Sequence, residues 1–480
     1  MVLLSYSRAI SSNAARQRDR VAISCGDESI TWDALDRSTN RLARAFAELG
    51  VTPGSFVTIA LPNSVAFFEA AVATWKLGAI PQPVSYRLPD RERQAIVELA
   101  DSSLVVGADP AAHPTRVVTP IGFTADPSLD DSELPDAIAD RWKAPTSGGS
   151  TGRPKLIVAT DPSRIDTEAT TMGQTCDGVA FIPGPLYHNA PFSFSASALM
   201  QGNHVVTLPK FDAEAALAAI DRYRPDWLLL VPTMMQRIIR LPDDVRQRYS
   251  VDSLRVVWHM ASPCPPWLKE AWIEWLGGEK IYELYAGTEA QSVTVVRGDE
   301  WMLHKGTVGR PISGEMRIQD PETFEVLPPG EVGEVFMRSA PNRKNYEYIG
   351  AEARTSPDGW ESLGDMGYMD DDGYLFLADR RGDMILSGGA NIYPAEIEAA
   401  ISEHRDAVSS AVIGLPDDDL GSVIHAVIQV RSPITADEMR AFLSERLVRY
   451  KIPRTFEFVD EAVRDDAGKV RRSALRDERV

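Results

Sequence analysis

The segment Thr146-Ser-Gly-Gly-Ser-Thr-Gly-Arg-Pro-Lys155 sets small hydroxyl and glycine residues ahead of a single lysine. Glycines let the backbone approach an anion and turn its N–H groups inward, hydroxyls add side-chain donors, and the lysine supplies compensating charge. The segment therefore reads as a phosphate cradle. It is not a Walker A loop, because Lys155 follows Pro154 rather than glycine and no Ser or Thr comes after it. Taken alone, such a cluster also describes an ordinary surface loop. A second pattern overlaps it: Gly148-Gly-Ser-Thr-Gly152 satisfies G-x-S-x-G, which would make Ser150 the nucleophile of a serine hydrolase. A nucleophile elbow follows an apolar strand, whereas Asp140-Arg-Trp-Lys-Ala-Pro145 is polar and ends in proline.

At 480 residues the chain exceeds one ordinary core, so two or more domains are expected. Hydrophobic residues at 44% and charged residues at 25% place it among soluble globular proteins. The formal charge of −19 argues against nucleic acid or an anionic membrane as partner, since either demands a basic face. Cys25, Cys176 and Cys264 are far apart and odd in number, so neither a disulfide framework nor a zinc site is expected, and a cytoplasmic location fits. The N-terminus lacks a secretory pattern, and the longest apolar runs, such as Trp227-Leu-Leu-Leu-Val231, are too short to span a bilayer. No integral membrane association is expected, and the chain is taken as a monomer or homodimer.

Apolar positions at helical spacing from Thr31 to Leu49 stop at Gly50, and Phe56 to Leu61 follows as a strand. Helices over Asn63 to Leu77, Phe211 to Tyr223 and Thr233 to Arg240 alternate with strands over Trp227 to Val231 and Leu254 to Met260. This predicts layered α/β architecture. From about Thr307 short β-like pieces punctuated by glycine and proline suggest a small barrel or meander. Arg380-Arg-Gly-Asp383 reads as a junction before about a hundred residues of mixed helix and strand. The expected division is 1–379, a junction at 380–383, and a small α+β part at 384–480.

Further motifs join the cradle. Tyr285-Ala-Gly-Thr-Glu289 follows the expected strand Lys280 to Leu284, placing an aromatic, a hydroxyl and a carboxylate where α/β sheets bind ligands. Tyr285 could stack on a purine, Thr288 donate to a phosphate and Glu289 hold Mg²⁺. Asp365, pinned between glycines in Gly359-Trp-Glu-Ser-Leu-Gly-Asp-Met-Gly367, is suited to accept both hydroxyls of a ribose. Asp379-Arg380 leads into the glycine loop and helix start Ser387-Gly-Gly-Ala-Asn-Ile-Tyr-Pro394, and Lys469 follows Gly468 near the C-terminus. Each motif alone has a bland reading as a turn or solvated face.

In this order the set resembles the adenylate-forming superfamily of acyl-CoA synthetases, luciferase and peptide-synthetase adenylation domains. The resemblance extends to Ile30-Thr-Trp-Asp-Ala-Leu35, Lys76-Leu-Gly-Ala79, Pro185-Leu-Tyr-His188, Val308-Gly-Arg-Pro311 and Tyr450-Lys-Ile-Pro453. It implies a reaction in which a carboxylate attacks the α-phosphate of Mg·ATP, releasing pyrophosphate, and a thiol then captures the acyl-adenylate. It implies ATP and Mg²⁺ as cofactors and CoA as acceptor, with a free-standing carrier protein as the alternative. Ser147, Gly148, Gly149, Ser150, Thr151, Gly152 and Lys155 would hold the β- and γ-phosphates. Ala261, Ser262, Tyr285 and Ala286 would flank the nucleotide, Thr288 the α-phosphate and Glu289 the magnesium, while Asp365 and Arg380 hold the ribose.

Lys469 would bridge the incoming carboxylate and the α-phosphate, and His188 would shape the acid site or gate ATP access. After adenylation the C-terminal part would rotate, exchanging Lys469 for the Ser387 to Asn391 loop and a pantetheine tunnel beside Gly388 and Gly389. The chain departs from the family pattern at an extra glycine in the cradle, at Gly382 in the junction, and at Arg464-Asp-Asp466 before Gly468. Asn189 stands where amino-acid-activating relatives carry Asp, which favours a neutral or apolar acid: fatty, aryl, or a bile or steroid acid. Phe192, Phe194, Met234, Met235, Trp258 and Met260 are the candidate acyl-pocket residues.

Overall fold

The expected helix from Thr31 spans Trp32–Glu48, with the Thr31 hydroxyl accepting from the Ala34 amide. Ser64 caps Val65–Lys76 in the same way, through the Phe67 amide. Each cap satisfies an amide that the first turn leaves without an intrahelical partner. Leu35, Ala43 and Phe46 of the first helix and Phe67, Ala71 and Trp75 of the second enter one buried cluster. Lys76 ends the second helix with a 1% exposed side chain that reaches Asp36 at 2.7 Å and Asn40 at 2.6 Å, so it enters the core only as a paired cation.

The structure is a computed structural model, and it describes residues 3–148, 154–341, 343–417, 420–465 and 468–480. Its centre is a run of parallel strands in the order Ile281–Tyr285, Val256–His259, Trp227–Leu230, Val179–Phe181, His204–Thr207 and Val21–Cys25. These strands are buried on both faces and read accordingly as near-continuous apolar runs, as Trp227-Leu-Leu-Leu230 illustrates. A second parallel sheet runs Ile80–Pro83, Phe56–Ile59, Leu104–Val106 and Val117–Thr119.

The part expected to be barrel-like is an antiparallel meander carried on the same ladder. Beyond Ile281–Tyr285 come Val293–Arg297 and Thr307–Ser313, then Leu375–Arg380, Glu361–Met369, Gly333–Arg338 and Glu315–Gln319. A separate antiparallel sheet pairs Thr146–Gly148 with Pro154–Ala159, and the latter with Tyr346–Ile349. Past Arg380, the strands Ala407–Asp417, Gly421–Val430 and Thr455–Val459 and the helices Pro394–Ser402 and Ala436–Ser444 enclose their own cluster of Ile397, Ile401, Val412, Ala426 and Met439. Among the described residues no helix is long and apolar enough to cross a membrane.

The bulge in strand Thr307–Ser313, where its pairing with Leu375–Arg380 shifts register, depends on Gly309. Its φ is +96°, and a Cβ built there would lie 2.2 Å from the Val295 carbonyl oxygen. Both the backbone conformation and the close approach require glycine. Gly309→Ala is expected to cost about 2–4 kcal/mol and lower the calorimetric melting temperature by about 2–4 °C. An unchanged melting temperature contradicts this account of the bulge.

Candidate active site

Strand Ile281–Tyr285 ends at the carboxyl edge of the parallel run, the position at which open α/β sheets receive ligands. The backbone then turns through Ala286, Gly287 and Thr288, all partly buried, to Glu289, which is 5% exposed. Ala290 closes the turn in the left-handed region at φ +51°. Glu289 Oε1 accepts from the Tyr348 hydroxyl at 2.5 Å and from Lys155 Nζ at 3.3 Å. Lys155 also lies over the Tyr348 ring, 4.0 Å from its centroid. Lys155 is brought here by strand pairing: Pro154–Ala159 runs antiparallel to Thr146–Gly148, with Ser147 opposite Lys155.

Gly149, Ser150, Thr151 and Gly152 of the cradle lie outside the described residues. The strands that flank them form an antiparallel pair. A nucleophile elbow instead joins a strand to a helix, so the hydrolase reading of Ser150 loses its structural context.

The second centre is Asp365. Its Oδ2 accepts from the Tyr285 hydroxyl at 2.7 Å, and its Oδ1 lies 3.3 Å from Arg380 Nε. Asp365 and Arg380 are direct partners in the register of the last two meander strands, which places the carboxylate and guanidinium side by side. Burial and then the Asp365 charge push the Tyr285 phenol well above its ordinary value, so it remains a donor. Asp365 in turn raises Arg380.

Lys469 arrives from the far end of the chain. Gly468 has φ +75°, and a Cβ there would stand 3.1 Å from Thr233 Cγ2 and 3.3 Å from Ser262 Oγ. The neighbouring Ala261 also holds a positive φ of 76°, uncommon for a residue with a side chain. Lys469 keeps open surface yet lies in a crevice between walls of protein. This crowding pulls its ammonium below the usual lysine value, with Asp465 and Glu289 opposing the shift and Arg380 adding to it. The lysine thus feels the charges of both centres.

The loop bearing Lys469 is pinned at both ends by one carboxylate. Glu398, 7% exposed, accepts from Arg464 at 2.5 Å and from Arg472 at 2.8 and 2.9 Å, and also takes the Val412 amide at 2.8 Å. Arg464 further donates to the Gly468 carbonyl at 2.8 Å, and Arg472 pairs with Asp383 of the junction at 2.8 Å. Asp379 binds the Ala395 amide at 2.8 Å, tying the junction to the start of Pro394–Ser402. Across the seam, Arg240 donates to the carbonyls of Ser402, His404 and Ala407, and Trp267 Nε1 donates to Ser402 at 3.0 Å.

The remaining candidates sit apart from these centres. Gly388 and Gly389, with φ +56° and +81°, form the exposed turn between Ile385–Ser387 and Ala390–Ile392. The Gly388 amide bonds to the Leu420 carbonyl at 3.0 Å. Gly382 has an ordinary negative-side backbone, and a Cβ there would meet nothing within 4 Å. Phe192, Trp258 and Met260 belong to one buried core cluster, Met234 and Met235 to another, and Phe194 packs partly buried against the first. His188 stands at the position preceding helix Asn189–Met200, with its ring 4.6 Å from that of Tyr187.

Sequence reasoning missed Tyr348, Glu398, Asp379 and Lys143. Tyr348 carried one signal, the alternation Tyr346-Glu-Tyr348 expected of a strand with one aromatic face. Lys143 had none. Its ammonium bonds to Asn189 at 2.5 Å and Ser193 at 2.6 Å over the Trp142 ring, and burial pulls it down to about 7.

Comparison with known proteins agrees with this geometry. The family model for AMP-binding enzyme matches residues 10–346, and that for AMP-binding enzyme C-terminal domain matches residues 396–469. A feruloyl-CoA synthase of Amycolatopsis is 32% identical over 95% of both chains. The methyl-dioxo-octahydroindenyl-propanoyl:CoA ligase of Rhodococcus jostii is 31% identical over 97% of both. Among solved structures, the o-succinylbenzoate CoA synthetase of Bacillus subtilis, in complex with its acyl-adenylate intermediate, superposes with a TM-score of 0.81. It is 26% identical and covers 99% of this chain and 98% of its own. The fold and site define an adenylate-forming enzyme of the acid–thiol ligase class. The chain belongs to the AMP-binding enzyme family.

The Glu398 clamp has a measurable consequence. Glu398→Ala leaves two guanidinium groups without their shared carboxylate, at a cost of about 3 kcal/mol. Amide exchange over residues 464–472 should rise while that of the central strand His204–Thr207 stays unchanged. Burial alone would raise the Glu398 pKa, but Arg464, Arg472 and the Val412 amide outweigh it and hold it low. A depressed pKa contributes stability that is present above the unfolded value, about pH 4.3, and lost as pH falls through the folded value. Loop protection in the parent protein should therefore persist from neutral pH to about pH 5 and vanish on further acidification.

Proposed function

We propose that this protein is an ATP-dependent carboxylic acid:CoA ligase acting through an acyl-adenylate. The observation that carries the reading is the convergence of Lys155, Glu289, the Tyr285–Asp365–Arg380 group and Lys469 around the end of one central strand. Magnesium fits this donor set. Glu289 presents a carboxylate whose two contacts among the described residues both fall on Oε1. A single carboxylate beside phosphate oxygens is a common Mg²⁺ arrangement. When bound there, the ion would neutralise phosphate charge on the leaving pyrophosphate.

The roles follow. Ser147 to Lys155 clamps the β- and γ-phosphates, Thr288 donates to the α-phosphate, and Ala261, Ser262, Tyr285 and Ala286 flank the nucleotide. Asp365 with Arg380 takes the ribose hydroxyls. Lys469 places its ammonium between the attacking carboxylate oxygen and the α-phosphate oxygens. Negative charge accumulates there as the O–P bond forms and pyrophosphate departs. In the second step a thiol attacks the acyl carbon and AMP leaves. We assign the two bodies to 1–379 and 384–480, hinged at 380–383. The Lys469 ammonium feels both Glu289 and Arg380, which supports its assignment to the adenylation step.

The acid is apolar, and an aryl or fused-ring acid is favoured over a fatty acid. Asn189 already accepts from Lys143, so the first turn of its helix offers no carboxylate to a substrate ammonium. The named substrates of the similar enzymes carry rings. Three unpaired cysteines, one of them exposed, fit a cytoplasmic setting, and the protein acts as a monomer or homodimer.

ATP–pyrophosphate exchange over a panel of fatty, aryl and fused-ring acids tests the reading, and absence of exchange across the panel refutes it. Lys469→Ala should lower adenylation by about 10²- to 10³-fold while sparing thioester formation from supplied acyl-adenylate. Only the ammonium form is competent, so adenylation should fall as pH rises through the lowered Lys469 pKa, earlier than for a lysine at its ordinary value. The thioester step should lack that limb.

A further inference from the structure

Tyr348 touches both Glu289 and Lys155, the two groups that the ligase reading assigns to magnesium and to phosphate. Its hydroxyl donates to Glu289 Oε1 at 2.5 Å, while the face of its ring holds Lys155 Nζ at 4.0 Å from the centroid. The register explains the meeting. Tyr348 stands opposite Ile157 in the antiparallel pair, and Lys155 lies two residues from Ile157 on the same face, within diagonal reach of an aromatic side chain.

The tyrosine is itself braced. Tyr346 lies two residues away on the same strand, its ring 4.7 Å from that of Tyr348, and its hydroxyl donates to Glu361 at 2.8 Å. Gln291 donates to the same Glu361 oxygen at 3.1 Å. The far side of Glu289 is boxed as well. A Cβ on Gly287 would fall 2.8 Å from Glu289 Oε2 and 2.3 Å from Leu363 Cδ1, so a side chain there would push Leu363 and the carboxylate aside. Among the described residues both polar contacts to Glu289 thus fall on one oxygen, and Oε2 is the oxygen they leave to a metal.

We propose that Tyr348 is a positioning residue for nucleotide binding: its hydroxyl occupies and orients Glu289 so that the second carboxylate oxygen is presented to magnesium, and its ring retains Lys155 when that lysine exchanges the carboxylate for phosphate. Lys155 and magnesium are both cations drawn to Glu289, and an acceptor shared between them needs a neutral donor that stays with the carboxylate through the exchange. A phenol supplies this. Its single O–H is donated to Glu289 Oε1, and the phenol carries no charge that would compete with the two cations.

The test compares Tyr348→Phe, which keeps the ring, with Tyr348→Leu, which removes ring and hydroxyl. Dissociation constants for ATP are measured by calorimetry with and without Mg²⁺, alongside thioester formation from supplied acyl-adenylate. Tyr348→Phe should raise the Kd for ATP in Mg²⁺ by about tenfold and leave the metal-free value within about twofold, the loss expected for one hydrogen bond to a charged group. Tyr348→Leu should also weaken metal-free binding. Both variants should form thioester at the parent rate. A Tyr348→Phe protein with the parent Kd in Mg²⁺ overturns the assignment. So does one whose two half-reactions fall together with its melting temperature, which marks a merely structural residue. A parent protein that binds no ATP in Mg²⁺ overturns the ligase reading, on which this assignment rests, and the assignment with it.

Discussion

The hydrogen bond from Tyr285 to Asp365 fastens the end of the central parallel sheet to the meander. Everything at the site is placed relative to it. Tyr285 is the last residue of its strand, so the bond fixes where the turn carrying Thr288 and Glu289 begins. Asp365 stands in register with Arg380, so the same bond fixes where the meander ends and the junction to the C-terminal part starts. Burial strengthens it, because a phenol in low dielectric holds its proton and a carboxylate acceptor roughly doubles the strength of a neutral hydrogen bond.

The site also resolves a contradiction between whole and part. The chain carries a formal charge of −19, yet it must hold a polyanionic nucleotide and an anionic acid if the ligase reading holds. Cations are therefore concentrated locally. Lys155, Arg380 and Lys469 converge on Glu289 and Asp365, each engaged by protein donors, with Asp465 beside Lys469 and Asp383 beside Arg380 as further negative charge. Each cation is held ready without being buried alone. Lys155 rests against a carboxylate and a ring face, and Arg380 against Asp365. Lys469 bears the greater cost, visible in its lowered pKa.

What was legible in the sequence was whatever a short window encodes. The helices at Trp32–Glu48 and Val65–Lys76 and the strand Trp227–Leu230 follow from periodicity and caps that neighbours in sequence supply. The motifs at Lys155, Glu289, Asp365 and Lys469 were legible because glycine and charge stand together in each. Whether the later strands formed a barrel or a meander stayed open, since strand content is local but the ladder joining Glu361–Met369 to Leu375–Arg380 and onward to the central sheet is not. Tyr348, Glu398 and Lys143 were illegible for one reason: their partners lie 59, 66 and 46 residues away. Nothing in a tyrosine two residues after another tyrosine announces a carboxylate that far upstream.

If the proposed hinge at 380–383 turns, the distribution of bond strengths would let one chain both fix Lys469 and release it. Within the C-terminal part the loop is held by a buried carboxylate shared between two guanidinium groups, an arrangement that is expensive to break because either partner lost leaves an uncompensated charge. Across the seam the contacts are of another kind. Arg240 donates to neutral carbonyls, Trp267 to a hydroxyl, and Arg471 meets Glu92 at 3.3 Å with most of its side chain in solvent. Bonds of these types contribute about 1 kcal/mol or less each and exchange readily with water, or about 2 when a charged donor is involved. Loop and small core can therefore move as one body while the seam opens. Asp379 and Asp383, bonded to the Ala395 amide and to Arg472, tie both sides of residues 380–382 to that body, so a turn at the proposed hinge would have to release the Asp379 bond.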